Sequence, residues 1–212
     1  MRYVDEARPG DPAALRARLE PTIRGFGVPL SSEDLRTIAG FHQRFIEAGL
    51  SLQFHSAGRP PQSNYPTYRD LLLDVDPSGR HANFLGSEDA FQFVRGLEAS
   101  DRLIPVVGDL SGPSALAAIG KLLANRGERL SVFYASNVEF YLFGDGSFSR
   151  FVANLRQVPH APGSVVIRSI FGRYSMAARP GDNSATQLQP IDDLLNAYAA
   201  GRIRGYADLI SR

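Results

Sequence analysis

The sequence predicts an α/β fold, specifically part of a doubly wound, Rossmann-like sheet with at least three strands flanked by helices. Residues Leu103–Phe143 read as an apolar strand, a turn, a helix and a second apolar strand, and Ser164–Ile170 supplies a third apolar run. Two strands joined by a helical crossover lie parallel in one sheet. We therefore predict that Leu103–Val107 and the strand beginning at Leu130 lie side by side and run in the same direction.

The crossover helix is predicted to begin near Pro113, because the fixed φ of proline suits the first turn of a helix. Its apolar residues recur at helical spacing until Asn125 and Gly127 end it: Leu116, Ile119, Leu122 and Leu123. The same reasoning predicts helices elsewhere along the chain: around Ala13–Leu19, after Ser31 or Ser32 as far as Gly49, from Pro66 through Leu73, after Ser87, from Phe148 to Val158, and from Pro190 through Tyr198. The polar stretch from Arg173 to Gln189 is expected to be irregular.

Composition limits the class of protein. The chain has 212 residues, enough for a sizeable core, and we predict a peripheral segment over residues 1–30 and a single α/β domain over residues 31–212. A net charge of +1 provides no global field for nucleic acid or an anionic membrane. The absence of cysteine excludes disulfides, thiolate metal sites and cysteine nucleophiles. No apolar run resembles a membrane span or a secretory signal, which predicts a cytoplasmic protein.

The candidate site lies where the two predicted parallel strands end. Ligands bind at the carboxyl ends of strands in open α/β sheets, so polar residues that follow both strands are expected to share one rim. The candidate catalytic residues are Asp109, Asn137 and Glu139. The candidate ligand contacts are Ser111, Gly112, Ser136, Tyr141 and Arg168. No histidine or acidic spacing supports a metal site.

Each candidate also has a structural interpretation. Asp109 is suited to capping the helix near Pro113, and Asn137 and Glu139 are suited to a turn and a cap. The Ser111–Gly112 turn offers backbone N–H groups to an anion but lacks the lysine and glycine spacing of a phosphate loop. Arg168 inside an apolar strand either emerges at an edge or pairs with a carboxylate such as Asp109 or Glu139, and we favour a structural ion pair.

Several segments carry a family resemblance: IPVVGDLSGPSALAAIG, SVFYASNVEFYLF and SVVIRSI, together with PLSSEDL, PTYRDLL, GRHANFLGSEDAF and QPIDDLL. With these segments the chain resembles an uncharacterised family of bacterial proteins whose longer members look like S-adenosylmethionine-dependent methyltransferases. The resemblance covers most of residues 25–210 and implies the later strands of a doubly wound sheet. The half of such a fold that carries the glycine loop and the acidic cofactor ligand has no counterpart here, since Gly25 and Gly27 do not match that fingerprint.

The resemblance therefore implies S-adenosylmethionine for the longer relatives and no cofactor for this chain alone. Two functions follow from it. The first is a methyltransferase-like protein of unknown substrate that is incomplete or inactive by itself and needs a further segment or a partner chain. The second is a non-catalytic α/β module that binds a small molecule or a protein, or that forms a homo-oligomer through an exposed first edge of its sheet.

Overall fold

The computed structural model describes residues 2–6, 8, 10–55, 58, 60, 65–81, 83–171 and 184–210. The chain divides into two compact units, Met1–Ile104 and Pro105–Arg212. The boundary in the structure thus falls between residues 104 and 105, whereas the sequence placed one between residues 30 and 31. Within the described residues, no helix combines the length and the apolar character that crossing a bilayer requires.

The first unit is helical. Its elements are α1 (Arg2–Glu6), α2 (Pro12–Gly25), α3 (Ser32–Ala48), a 3-10 turn (Gly49–Ser51), α4 (Tyr68–Leu73) and α5 (Glu88–Ala99). The predicted caps Ser31 and Ser87 are confirmed, since their side chains accept hydrogen bonds from the backbone N–H groups of Asp34 and Ala90. Among the described apolar residues of this unit, only Val4 and Leu72 are buried.

The second unit contains the sheet. Its elements are α6 (Ala115–Arg126), β1 (Leu130–Ser136), α7 (Val138–Gly144), α8 (Phe148–Arg156), β2 (His160–Phe171), β3 (Ser184–Pro190), α9 (Ile191–Ala199) and α10 (Tyr206–Ile210). The strand order is β1-β2-β3, with β2 parallel to β1 and antiparallel to β3. The protein is therefore an α/β protein with a mixed three-stranded sheet flanked by helices.

The predicted strand Leu103–Val107 is not formed, so the predicted pairing of this segment with β1 is wrong. The segment is exposed, and Val107 is fully so. An apolar run adopts a strand only where a neighbouring strand can take up its N–H and C=O groups and where its side chains are covered. No described strand pairs with this segment.

The carboxyl-terminal half of the sheet also differs from the prediction. Strand β2 is longer than the predicted Ser164–Ile170, and α7 follows β1 where only polar strand-end residues were expected. The predicted irregular stretch from Arg173 to Gln189 falls partly outside the described residues, and its last part forms β3. Strand β3 was missed because the sequence SATQLQP alternates apolar with polar residues too weakly to stand out.

The core of the second unit lies on one face of the sheet. Val166 of β2 and Phe133 of β1, which are register partners, both belong to or pack against it. The helices α6 to α10 contribute the buried residues that meet them: Leu116, Leu142, Phe148, Phe151, Val152, Leu155, Ile191, Leu194, Leu195, Ala197 and Leu209. This core supports α7 and the carboxyl end of β1 from one side.

Candidate functional site

Strand β1 ends in a strained turn that presents two polar side chains. Ser136 has a φ of 51°, in the left-handed region that is unfavourable for residues other than glycine, and it follows a register shift between Tyr134 and Ser136. Asn137 comes next, and α7 begins at Val138. Both Ser136 and Asn137 are half-buried, and neither side chain bonds to any described residue. Their hydroxyl and amide groups are available to a ligand at the carboxyl end of a parallel strand.

A buried ion pair between β2 and α7 anchors the backbone around this turn. Arg168 donates from Nε to Oε2 of Glu139 at 2.6 Å and from Nη2 to Oε1 at 3.0 Å. Both side chains are completely buried. This bidentate geometry confirms the predicted ion pair of Arg168 and selects Glu139 over Asp109 as its partner. Because both oxygens of Glu139 accept from Arg168, the geometry favours a positioning role for this carboxylate over the predicted catalytic one.

Two glutamines complete the surroundings of Arg168. Its Nη1 donates to Oε1 of Gln189 at 2.9 Å and to Oε1 of Gln187 at 3.4 Å. Gln187 lies directly opposite Arg168 in the antiparallel β2–β3 pair, so the two side chains share one face of the sheet. Sequence reasoning missed these residues, although the spacing of two between the glutamines is the signal of one strand face.

The predicted residue Asp109 forms a local turn. Its Oδ1 accepts from the backbone N of Ser111 at 2.8 Å and from the Ser111 hydroxyl at 2.9 Å. These two hydrogen bonds, the backbone one first, lower the pKa of Asp109 from its ordinary value of 3.8. Gly112 donates its N–H to the Asp109 carbonyl at 3.1 Å. The structural interpretation of Asp109 thus accounts for its contacts, with Ser111 and not the helix as the group it caps.

A second turn of the same sequence type lies close to the first. Asp145 accepts from the backbone N of Ser147 at 2.9 Å and also from its hydroxyl. The charge of Arg150 lowers the pKa of Asp109 and the charge of Asp145 raises it, so the carboxylates of the two turns interact electrostatically. Asn154 of α8 donates to the carbonyls of Leu110 and Gly112 and holds the first turn in place.

The predicted residues therefore fall into two groups. Ser136, Asn137, Glu139 and Arg168 gather around the carboxyl end of β1. The turn from Asp109 through Gly112 belongs to the surroundings of α8, and no hydrogen bond or ion pair in the described part of the chain joins it to the first group. Tyr141 is more than half exposed and its ring contacts that of Phe140. We refer to Ser136 and Asn137 as the β1 rim.

The β1 rim does not fit a cofactor site by itself. Both carboxylates predicted for the site are engaged, since Glu139 is held by Arg168 below the rim and Asp109 accepts hydrogen bonds from Ser111 in its own turn. Neither carboxylate is left to bind the ribose hydroxyls of an adenosyl group. No group of three or more histidine, cysteine, aspartate or glutamate residues within the described ranges is placed to hold a metal ion.

The sequence matches the family described as Domain of unknown function (DUF7790) over residues 65–202, more than half of the chain. The chain belongs to the DUF7790 family. No curated protein matches it. The DUF7790 match begins in the first unit and ends in the second, and it contains every candidate residue from Asp109 to Arg168.

Proposed function

We propose that this chain supplies one rim of a small-molecule site in a methyltransferase-like α/β fold, and that a further polypeptide segment completes the site. The observation that carries the proposal is the β1 rim. Ser136 is held at positive φ, Asn137 has no side-chain partner among the described residues, and both stand at the carboxyl end of a parallel strand. Strain of this kind is maintained only where the surrounding structure determines it, and it gathers at functional sites.

The ion pair below the rim supports this assignment. Residue Arg168 is the register partner of Ser136, and its guanidinium group ties β2 to Glu139 in the first turn of α7. The backbone on both sides of Ser136 and Asn137 is thus anchored in the core. A rigid backbone places the hydroxyl and the amide before a ligand arrives, which reduces the entropy that binding costs. An amide offers both a donor and an acceptor, and therefore suits a polar ligand.

The methyl-transfer part of the proposal comes from the sequence resemblance, and the engaged carboxylates explain why a second segment is needed. S-adenosylmethionine would supply the methyl group once that segment holds it. The residues of this chain would contact one side of the ligand through the β1 rim and exclude water from it. The proposed completing segment is a polypeptide with a strand, a glycine-rich loop and a helix, supplied by a further segment or by a partner chain.

Titration calorimetry tests the proposal. We expect S-adenosylmethionine to give no heat with the purified chain and saturable heat with the chain expressed together with the completing segment. In the joined protein, Asn137→Ala should weaken binding roughly fivefold, since one net hydrogen bond contributes about 1 kcal/mol. Gln157→Ala, an exposed amide at the end of α8, is the matched control and should change nothing.

Three results would contradict parts of this proposal. The absence of heat with the joined protein would overturn the methyltransferase-like function. Strong binding by the chain alone would show that the site is already complete. Equal affinities of the Asn137 and Gln157 variants would remove the β1 rim from the site.

A second candidate is the non-catalytic binding module, which the outer edge of β1 favours. Strand β1 pairs only with β2 in the described chain, and its sequence LSVFYAS contains neither a charge nor a proline. Natural edge strands use such residues to prevent pairing, so this edge is open to another strand. If copies of the chain pair here, sedimentation of the purified protein shows a dimer that Val132→Lys dissociates.

A further inference from the structure

Strand β3 and helix α9, which follows it directly, border an open cavity in the second unit. The volume of this cavity is about 480 Å³, within the range of about 300–1,000 Å³ that small-molecule sites occupy. Gln187 and Gln189 of β3 line it on one side, and Asp193 and Asn196 of α9 line it on the other. No residue of the β1 rim lines this cavity, so it is a separate candidate site.

The sequence of β3 and α9 places these polar side chains on the cavity wall. Gln187 and Gln189 are two residues apart on a strand and therefore share one face. Pro190 ends β3 and is the N-cap residue of α9, so the helix begins beside the glutamines. Asp193 and Asn196 are three residues apart, which puts them on one face of the helix. The opposite face of α9 is held in the core by buried side chains: Ile191, Leu194, Leu195 and Ala197.

The most buried polar group of the cavity wall is the amide of Gln189, whose side chain is 9% exposed. Its Oε1 is engaged, because it accepts from Nη1 of the buried Arg168 at 2.9 Å. Its Nε2 donates to no described residue. Every fully buried polar side-chain atom of the described residues has a partner, so Nε2 must reach the open space of the cavity. Arg168 thus fixes an amide whose N–H groups are available to a ligand there.

The other polar groups of the cavity wall supply an acceptor, a second amide and a cation. Asp193 and Asn196 are exposed, and neither side chain has a partner among the described residues. Arg202 lines the cavity just beyond α9, where its backbone N–H donates to the carbonyl of Ala197 and closes the end of the helix. One carboxylate and one guanidinium group leave the cavity wall without net charge.

The pattern of donors and acceptors indicates the chemistry of the ligand. Nε2 of Gln189 only donates, the carboxylate of Asp193 only accepts, and the amide of Asn196 does both. A hydroxyl group donates and accepts, so it fits each of these partners, whereas a carboxylate cannot donate and an ammonium group cannot accept. A ligand with a single charge of either sign would also meet a like charge, that of Asp193 or that of Arg202.

We propose that this cavity binds a neutral polyhydroxyl compound such as a mono- or disaccharide, through hydrogen bonds from its hydroxyl groups to Gln189, Asp193 and Asn196. Leu188 and Pro190 also line the cavity and provide apolar contact for the C–H groups of a sugar ring. The proposal goes beyond the proposed function and does not depend on it, because it requires neither S-adenosylmethionine nor a second polypeptide.

NMR titration of the isotope-labelled chain tests the proposal. The added probes are glucose, mannose, ribose and maltose, and in parallel glycine and inorganic phosphate. We expect at least one sugar to shift the side-chain amide signals of Gln189 and Asn196 saturably, and glycine and phosphate to leave them unchanged. Asn196→Ala should weaken this binding roughly fivefold, as expected for one net hydrogen bond. The matched control is Asn125→Ala, which removes an exposed amide of α6 outside the cavity and should change nothing.

Each of the other outcomes overturns the proposal. If no sugar produces saturable shifts, the cavity is not a site for polyhydroxyl compounds. Glycine or phosphate that binds at least as tightly as the sugars would contradict the ligand class. Shifts confined to residues outside the cavity, or equal affinities of the Asn196 and Asn125 variants in a spectrum that shows both folded, would place binding elsewhere. None of these outcomes depends on S-adenosylmethionine binding, so failure here is distinct from failure of the proposed function.

Discussion

Asp109 shows how one residue type can satisfy two quite different interpretations of a sequence. A carboxylate after an apolar run suits a ligand contact at a strand end, and it suits a turn equally well. The structure shows both oxygens of Asp109 accepting from Ser111. The turn Asp145-Gly146-Ser147 repeats the same arrangement. The spacing Asp-x-Ser is the local signal that identifies both as turns, and it occurs again at Asp76, whose Oδ1 accepts from the backbone N and the hydroxyl of Ser78.

The two turns make a matched pair for a pKa measurement. Ser111→Ala removes a hydroxyl donor but keeps the backbone N–H that has the largest effect on Asp109. We expect the pKa of Asp109 to rise and yet remain below 3.8, and the pKa of Asp145 to stay nearly constant because Ser147 is its main donor. Titration of the side-chain carboxyl signals by NMR measures both. Equal shifts at Asp109 and Asp145 would contradict the local origin of the effect.

The sign of the pH dependence follows from the direction of these shifts. A carboxyl whose pKa is lower in the folded state than in the unfolded chain stabilises the fold above its unfolded pKa. That contribution is lost as the pH falls through the lower, folded pKa. For Asp109 and Asp145 the loss therefore runs from around pH 3.8 down through the folded pKa, and in Ser111→Ala the loss contributed by Asp109 should be smaller and end at a higher pH than in the unsubstituted protein.

At the scale of elements, the Arg168–Glu139 pair joins β2 to α7 across the carboxyl end of β1. Both groups have lost their hydration, and that cost is offset by the bidentate geometry of the pair and by Gln187 and Gln189, which accept from Nη1 of Arg168. No buried side-chain nitrogen or oxygen in the described residues lacks a hydrogen bond. Removal of either charged partner leaves the other buried without compensation.

We predict that Arg168→Met lowers the free energy of unfolding by about 3–5 kcal/mol, because it strands the buried charge of Glu139. The double variant Arg168→Met/Glu139→Leu should recover most of that loss, since it replaces the pair with apolar side chains. Urea unfolding measures all three proteins. The control is Arg24→Ala, which breaks the exposed Arg24–Glu20 pair of α2 and should change stability by no more than about 1 kcal/mol. A double variant less stable than Arg168→Met would contradict this account.

The elements that could be predicted from the sequence are those with a local signal. Helix α6 was predicted from its leucine spacing and ends at Gly127, whose φ of 66° requires a left-handed cap. Strand β1 was predicted from its β-branched and aromatic residues. Leu103–Val107 has the same apolar, β-branched composition as β1 and yet is not a strand. Strand β1 has a neighbouring strand to pair with, whereas no described strand pairs with Leu103–Val107. Register and pairing are long-range properties.

The candidate site divides in the same way. The ion pair of Arg168 could be predicted because a charge within an apolar strand requires a partner, and Glu139 was one of the two carboxylates considered. The predicted convergence of Asp109 with Asn137 and Glu139 was based on the pairing of two strands, and that pairing is not formed. The role of Gln187 and Gln189 could be predicted only if β3 was known. The sequence of β3, SATQLQP, is mostly polar and gives little indication of a strand.

Across the whole chain, the apolar core is distributed unevenly between the two units. The core cluster lies entirely in the second unit and includes fully buried side chains such as Phe151 and Leu155. Among the described residues of the first unit, the buried apolar side chains are Val4 and Leu72, while aromatic residues such as Phe41 and Phe45 of α3 are exposed. Local stability follows buried apolar contacts, so the two units should differ in stability.

Hydrogen exchange at increasing urea concentration measures this difference. We expect amides of the first unit to lose protection at lower urea than those of β1, β2 and α8. Leu72→Ala and Leu155→Ala remove comparable side chains from the two units, and such truncations cost about 2–5 kcal/mol. Each variant should shift mainly the exchange of its own unit, because Leu72 belongs to the first unit and Leu155 to the core cluster of the second. Two results would contradict this division into separately stable units. One is a single step in which all amides exchange together. The other is a Leu72→Ala variant in which the amides of β2 lose protection at a urea concentration lowered as much as that for α4.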